Sequence, residues 1–255
     1  MSIEVTFLGT GTSQGVPVIA CHCDVCESAD TRDTRLRSSV LIKSNGKSIV
    51  IDTGPDFRQQ MLNARQDNLD AVLFTHEHKD HVAGLDDVRA YNYVQKNSME
   101  VYCIDRVAEA LKREFHYVFS GDNYPGIPRI NLNEIENKAF EIEGLKITPI
   151  EVFHYKMPVF GFRIGDFTYI TDAKTIPEEE KAKIKGSKVV VLNALRRHEH
   201  ISHFTLDQAV EMMNELNPDK GYFTHISHYL GMHANVAKEL PGNMELAYDG
   251  LTISI

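Results

Sequence analysis

The chain has no apolar run approaching the roughly 18 residues needed to span a membrane. Its 42% hydrophobic content is that of an ordinary globular protein. The opening Met1-Ser2-Ile3-Glu4-Val5 has neither a basic n-region nor an apolar h-region, so no signal peptide is read there. The cytoplasm is the expected location, with no membrane partner. Positive charge is also scarce, since 27 Lys and Arg against 36 Asp and Glu leave a net −9. That disfavours nucleic acid as a partner, because its binding relies on Lys and Arg neutralising successive phosphates. A small phosphorylated substrate remains open, because bound cations can reverse the local field. No linker or low-complexity segment interrupts the 255 residues, so one domain over 1–255 is expected, and a homodimer is compatible with it.

Cysteine is sparse too, yet three of the four are crowded into Cys21-His22-Cys23-Asp24-Val25-Cys26. In a reducing compartment such crowding favours metal over disulfides. A structural zinc normally takes four ligands in a tetrahedron. On the residues alone the fourth is open among His22, His228, His233 and a distant Cys. Cys103 lies in the apolar run Val101-Tyr102-Cys103-Ile104 and reads as core. A second cluster, His76-Glu77-His78-Lys79-Asp80-His81, directly follows the strand-like Ala71-Val72-Leu73-Phe74. Its donors can feed two adjacent cations, an arrangement suited to in-line displacement at phosphorus.

Short strands alternate with helices along the chain. Val5–Leu8 reads as a strand ahead of the glycine-punctuated loop 9–15. Residues 39–43 and 48–52 flank Asn45-Gly46, a hairpin signal because both residues accept positive φ. Phe57, Met61 and Leu62 show helical spacing, as do Val107, Ala108, Leu111 and Phe115 within a helix expected over 105–119. A further helix is expected to start near Leu85. Strands are expected near 146–152, 160–164 and 167–170, and the continuous apolar run 189–192 suggests a strand buried on both faces. Thr205-Leu206-Asp207-Gln208 is a capping box opening the helix 206–216. Residues 245–255 suggest a terminal hairpin turning at Asp249-Gly250. Hairpins with interspersed helices point to two sheets covered by helices, an α+β class. The loop 120–131, with Tyr124-Pro125-Gly126-Ile127-Pro128, reads either as a border of a cleft or as a surface connection.

The HxHxDH run, with Phe7-Leu8-Gly9-Thr10-Gly11 and Ile51-Asp52-Thr53-Gly54 ahead of it, resembles the metallo-β-lactamase superfamily. The resemblance implies a four-layer αββα sandwich with a dinuclear site in the cleft between its halves. It also implies three later ligands, which His154, Asp172 and His225 supply in order after strand-like runs. On this basis His76, His78 and His154 would hold one metal, Asp80, His81 and His225 the other, and Asp172 would bridge them. Zn or Mn suits such a pair, and Fe is admitted, since imidazole and carboxylate do not select sharply. Redox-active diiron members carry Glu where this chain has His78, and antibiotic-cleaving members commonly carry Cys near the position of Asp172, so hydrolysis is the reading.

Gly11-Thr12-Ser13-Gln14-Gly15-Val16-Pro17-Val18, followed by the thiols, resembles one branch, the PhnP-type cyclic-phosphate phosphodiesterases. That likeness implies His228 as the fourth ligand of one structural zinc. It also implies a catalytic His just ahead of the capped helix, for which His203 fits and His200 is the second choice. The implied reaction is cleavage of a small, cyclic ribosyl or similar phosphodiester by a metal-bound hydroxide, with Asp80 orienting it and His203 serving the leaving group. Arg196 and Arg197 are read either as phosphate contacts or as a solvated face. A nuclease of the tRNA 3′-processing kind is a second reading, set against an acidic chain without a Gly/Pro-rich arm. A glyoxalase-like ester or thioester hydrolase is a third.

Overall fold

A computed structural model describes residues 2–121 and 124–255. Strands β1 (Ile3–Gly9), β2 (Ser39–Ser44), β3 (Lys47–Ile51), β4 (Ala71–Leu73), β5 (Met99–Cys103) and β6 (Ile130–Glu134) come first along the chain. They are followed by β7 (Phe140–Ile142), β8 (Leu145–His154), β9 (Met157–Ile164), β10 (Phe167–Tyr169), β11 (Val189–Asn193), β12 (Lys220–Thr224), β13 (Met244–Leu246) and β14 (Thr252–Ser254). Among the described residues these strands form two seven-stranded sheets, ordered β14-β1-β2-β3-β4-β5-β6 and β13-β12-β11-β10-β9-β8-β7. The helices are α1 (Phe57–Asn63), α2 (Lys79–Val82), α3 (Arg89–Gln95), α4 (Asp105–Glu114), α5 (His116–Phe119), α6 (Glu178–Ile184), α7 (Leu206–Leu216) and α8 (His233–Val236).

Strand periodicity explains the layering. Inward residues of the first sheet, such as Phe7, Ile42 and Ile51, pack on Ile147, Phe162 and Val191 of the second. The other face of the first sheet, with Val72 and Val101, packs under Phe57, Val88, Val107 and Leu111. The other face of the second, with Ile150, Val190 and Phe223, packs under Ile184, Leu206, Met213 and Val236. Helix, sheet, sheet, helix is therefore the order of layers, as the αββα expectation has it. β11 is buried along its whole length, and both halves of the Thr205–Gln208 capping box are formed. Asn45 and Gly46 both take positive φ between the paired residues Ser44 and Lys47, as the hairpin requires. Cys103 is completely buried, which pushes its thiol up to about 12.

Three expectations are corrected. Residues 245–255 do not form a hairpin: β13 pairs with β12 in one sheet, while β14 pairs with β1 in the other. The Asp249 side chain accepts hydrogen bonds from Thr10 Oγ1 (2.7 Å) and the Leu36 amide (2.6 Å), which pins the crossover between sheets. The helix over 105–119 breaks at Phe115, whose φ of −111° and ψ of 41° separate α4 from α5. The helix read from the spacing of Phe57, Met61 and Leu62 is present as α1, with Phe57 and Met61 buried and Leu62 exposed. Near Leu85 the chain forms a 3₁₀ turn before α3. Residues 122 and 123 of the loop 120–131 lie outside the described residues. Its described part lines a cavity with Arg89, Asn92 and Tyr93 that includes none of the expected metal ligands.

The turn carrying Asp80 is packed directly on the loop after β3. A Cβ at Gly54 would lie 2.2 Å from the Asp80 carbonyl oxygen, and one at Gly84 2.1 Å from the Gly54 carbonyl oxygen. Gly54→Ala should therefore cost about 1–3 kcal/mol through backbone displacement. For a chain of this size that is a drop in Tm of roughly 2–12 °C. Metal content should fall with it, because Asp80 moves. An unchanged Tm and full metal content in calorimetry and elemental analysis would disprove that coupling.

Candidate metal centre

The cluster forms where strands end. Asp52 follows β3, His76 and Asp80 follow β4, His154 closes β8, Asp172 follows β10 and His225 follows β12. Three of these non-glycine residues leave their strands with positive φ: Asp52 (64°), Asp172 (57°) and His225 (55°). Such conformations are disfavoured and tend to persist where function requires a side chain aimed off the strand axis. The two halves meet through backbone bonds, Phe160 N–H to the Thr75 carbonyl (3.0 Å) and Ile226 N–H to the Thr10 carbonyl (2.8 Å).

Asp52 organises the first half. Its Oδ1 accepts from the Thr75 amide (2.9 Å), and its Oδ2 accepts from the Thr75 hydroxyl (2.8 Å) and His81 Nδ1–H (2.7 Å). With its proton given to Asp52, the Thr75 hydroxyl is left to accept from His76 Nδ1–H at 2.9 Å. Both imidazoles are thereby fixed with Nε2 pointing inward, as a metal requires. Those two Nε2 atoms are buried and have no hydrogen-bond partner. His154 is oriented likewise, its Nδ1–H donating to the Ser202 carbonyl at 3.0 Å.

Asp172 lies at the middle. One oxygen is 3.3 Å from His81 Nε2 and 3.2 Å from His225 Nδ1, and the other is 3.0 Å from His203 Nε2. The same face of His81 also meets Asp80 Oδ2 at 3.3 Å. Burial works to raise the Asp172 carboxyl, but His225 and His81, with the His203 hydrogen bond, hold it well below the usual carboxylate range. Burial works to lower His81, yet Asp172, Asp52 and Asp80 keep it well above the ordinary histidine value. Burial brings His225 down to about 4 and also lowers His76 and His154, leaving neutral rings with free lone pairs.

Potential ligand atoms fall into three overlapping groups, each spanning no more than 4.8 Å: His76, His81 and Asp172; Asp80, His81 and His225; His154, Asp172 and His203. The second is the set expected for one metal. Asp172 belongs to the other two and also lies against His81 and His225 of the second, where a bridging carboxylate would sit. His78 stands alongside, its ring centroid 4.6 Å from that of His76 and 5.1 Å from that of His154. His203 is brought among the potential ligands, a placement its sequence position did not announce. The donors fit divalent metal: orphaned imidazole nitrogens and two carboxylates converge where only a cation satisfies all of them.

The thiols make a second assembly. His228 Nδ1 lies 3.3, 3.5 and 3.4 Å from the sulfurs of Cys21, Cys23 and Cys26. One nitrogen cannot bond three thiols at once. A tetrahedral zinc, about 2.3 Å from sulfur and 2.0 Å from nitrogen, places these atoms about 3.5 Å apart. The Cys26 amide brings the Cys23 thiol down to about 6, favouring the thiolate that a metal takes. His22 instead points outward to Glu27 at 2.8 Å, and His233 accepts from the buried Arg35 at 3.1 Å.

Some functional partners carry little signal in the sequence, and for Arg196 and Arg197 one of the two open readings is favoured. Asp52 stands in the sequence only as part of a motif, and its position directly after an apolar strand is the available signal. Thr12 and Ser38, 3.2 and 3.3 Å from the two nitrogens of His225, carried no signal. Arg196 and Arg197 are not poised for phosphate. Arg196 is bound to the carbonyls of His198 and Glu199, and Arg197 to the Leu230 carbonyl and Glu239.

Fold and site together define a metallohydrolase-type cleft, and residues 47–226 match the family pattern of the beta-lactamase superfamily domain. A crystal structure described as a new diphosphatase from the PhnP family is 37% identical. Its TM-score is 0.94, over 100% of this chain and 98% of that one. The chain belongs to the metallo-β-lactamase superfamily and, within it, to the PhnP family. A Porphyromonas gingivalis protein named octanoyltransferase is 41% identical over 247 residues, covering 96% of this chain and 50% of that protein. The chain thus spans about half the length of the curated relatives it matches. Zn²⁺-bound PqqB from Methylobacterium extorquens shares the fold at 19% identity, with a TM-score of 0.80 over 98% of this chain and 99% of that one. No helix among the described residues is long and apolar enough to cross a membrane.

Proposed function

We propose that the protein is a dinuclear metal-dependent phosphodiesterase acting on a small phosphate ester, cyclic ribosyl esters included. The observation that carries this reading is the convergence of buried imidazoles on Asp172, with His76 Nε2 and His81 Nε2 left without a hydrogen bond. His76, His78 and His154 would hold one metal, Asp80, His81 and His225 the other, with Asp172 between them. Zn²⁺ or Mn²⁺ suits both places, and Cys21, Cys23, Cys26 and His228 would hold a separate structural zinc. When bound, the metals would supply Lewis acidity toward the phosphoryl oxygens and lower the pKa of water. The PhnP-family diphosphatase supports chemistry at phosphorus.

The chain's own residues would handle the proton. His203 Nε2–H points at Asp172, and its Nδ1 lies 3.0 Å from His200 Nδ1 and 3.1 Å from Ser202 Oγ. Burial and the neighbouring His203 lower His200, so it stays neutral and able to pass a proton along this pair. His203 would protonate the leaving oxygen, His200 would resupply it, and Asp80 would orient the attacking water. His203→Ala should keep the full metal content while kcat on a cyclic phosphodiester falls by about 10²–10⁴-fold. Metal loss in parallel would make His203 a ligand instead, and unchanged turnover would remove it from the reaction. The assay should compare cyclic, linear and RNA phosphodiesters with acyl thioesters, which the octanoyltransferase name of the longer relative keeps in view. Turnover confined to RNA or to thioesters would overturn the proposal.

A further inference from the structure

The β8–β9 hairpin turns through Tyr155 and Lys156, between the paired residues His154 and Met157. Tyr155 has φ of +59°. Two-residue hairpins usually reserve such a position for Gly, Asn or Asp, and a bulky side chain there is a genuine outlier. Packing does not compensate, because Tyr155 is 51% exposed. Its ring is accompanied by Lys156 Nζ, 5.3 Å from the centroid. The neighbouring residue is His154, so the unfavourable turn aims an aromatic ring beside the metal centre.

A cavity of about 360 Å³, within the range that takes small ligands, is lined by Tyr155, Lys156 and Ile201 together with His78 and His154. Ile201 reaches it from the loop that carries His200 and His203, and is 65% exposed. Two large side chains from separate loops therefore stand uncovered at the edge of a polar site, with the Lys156 ammonium over the Tyr155 ring. Backbone strain retained at such a place points to function.

We infer that Tyr155 and Ile201 form a platform for a nucleobase on the substrate, so that the preferred substrate is a nucleoside phosphodiester. Base stacking on an exposed ring needs no base-specific hydrogen bonds. Lys156 adds positive charge suited to the anionic ester. The inference rests on the phosphodiesterase reading of the same site.

The probe is 2-aminopurine riboside 5′-monophosphate, titrated by fluorescence into the metal-loaded protein, with ribose 5-phosphate as competitor. Wild type should quench the probe on stacking. Tyr155→Gly, which relieves the positive φ, should raise its Kd tenfold or more, while Tyr155→Phe keeps it. The Kd of ribose 5-phosphate should be the same in all three, and the Tm of Tyr155→Gly should equal or exceed wild type. Equal probe affinity in Tyr155→Gly, or equal weakening of ribose 5-phosphate, overturns the platform. Hydrolysis separates the two ideas. Ring-dependent binding without turnover of any phosphodiester sinks the reaction and leaves the platform. Equal kcat/KM for methyl and nucleoside esters, in both wild type and Tyr155→Gly, sinks the platform and leaves the reaction.

Discussion

Asp172→Asn is expected to empty the catalytic centre and to reduce kcat by about 10³-fold or more, equivalent to at least about 4 kcal/mol of lost transition-state stabilisation. The substitution keeps the shape of the side chain and removes its charge. That charge faces three imidazoles, at 3.0 Å for His203, 3.2 Å for His225 and 3.3 Å for His81. An amide can present its NH₂ to any of them, placing a donor where a metal needs an acceptor. Because Asp172 belongs to two of the ligand groups and lies against His81 and His225 of the third, both metals should be lost together. Elemental analysis per chain and turnover on bis(p-nitrophenyl) phosphate read the two effects. Full metal content with kcat within tenfold of wild type would refute the bridging role.

Cys23→Ser should remove one equivalent of zinc and cost about 3 kcal/mol or more, since zinc binding free energy in such sites is folding free energy. For a chain of this size that is a fall in Tm of roughly 6–12 °C or more. Activity should drop as well, because the ligand His228 lies on the loop that also carries His225, and that loop is bonded to residues 10–12 through Thr12 N–H to the Ile226 carbonyl (3.1 Å). Chelation at neutral pH should mimic the substitution in wild type. Cys103→Ser serves as control, because that thiol is buried away from the tetrad and its replacement leaves zinc content alone. Stoichiometric zinc retained in Cys23→Ser would show that the thiols serve another purpose.

Much of this site could be read from the chain because its densest part is local. His76, His78, Asp80 and His81 are neighbours, so one strand end and one turn suffice to gather them. His154, Asp172 and His225 became legible through their order and strand-end context, set against a known family pattern. Asp52 did not, since its importance lies in three hydrogen bonds made across the loop after β4. Tyr155 and Lys156 did not either, because Tyr-Lys is no hairpin signal. The Asp249-Gly250 pair misled for a related reason. A turn dipeptide specifies a change of direction, not which sheet receives the next strand. Arg196 and Arg197 show the same limit, with charge visible in the sequence but its partners supplied by carbonyls and Glu239.

The thiol tetrad also sets a timetable. Cys26 and His228 are separated by 202 positions, and translation proceeds at about 5–20 residues per second. A nascent chain therefore carries its three thiols for roughly 10–40 s before the His228 imidazole beside them has been made. Throughout that interval they are available to any oxidant or competing metal near the ribosome. A zinc held by these four residues would be enclosed only after position 228 has been made, so the cell's zinc and thiol buffering during synthesis would decide how many chains acquire it.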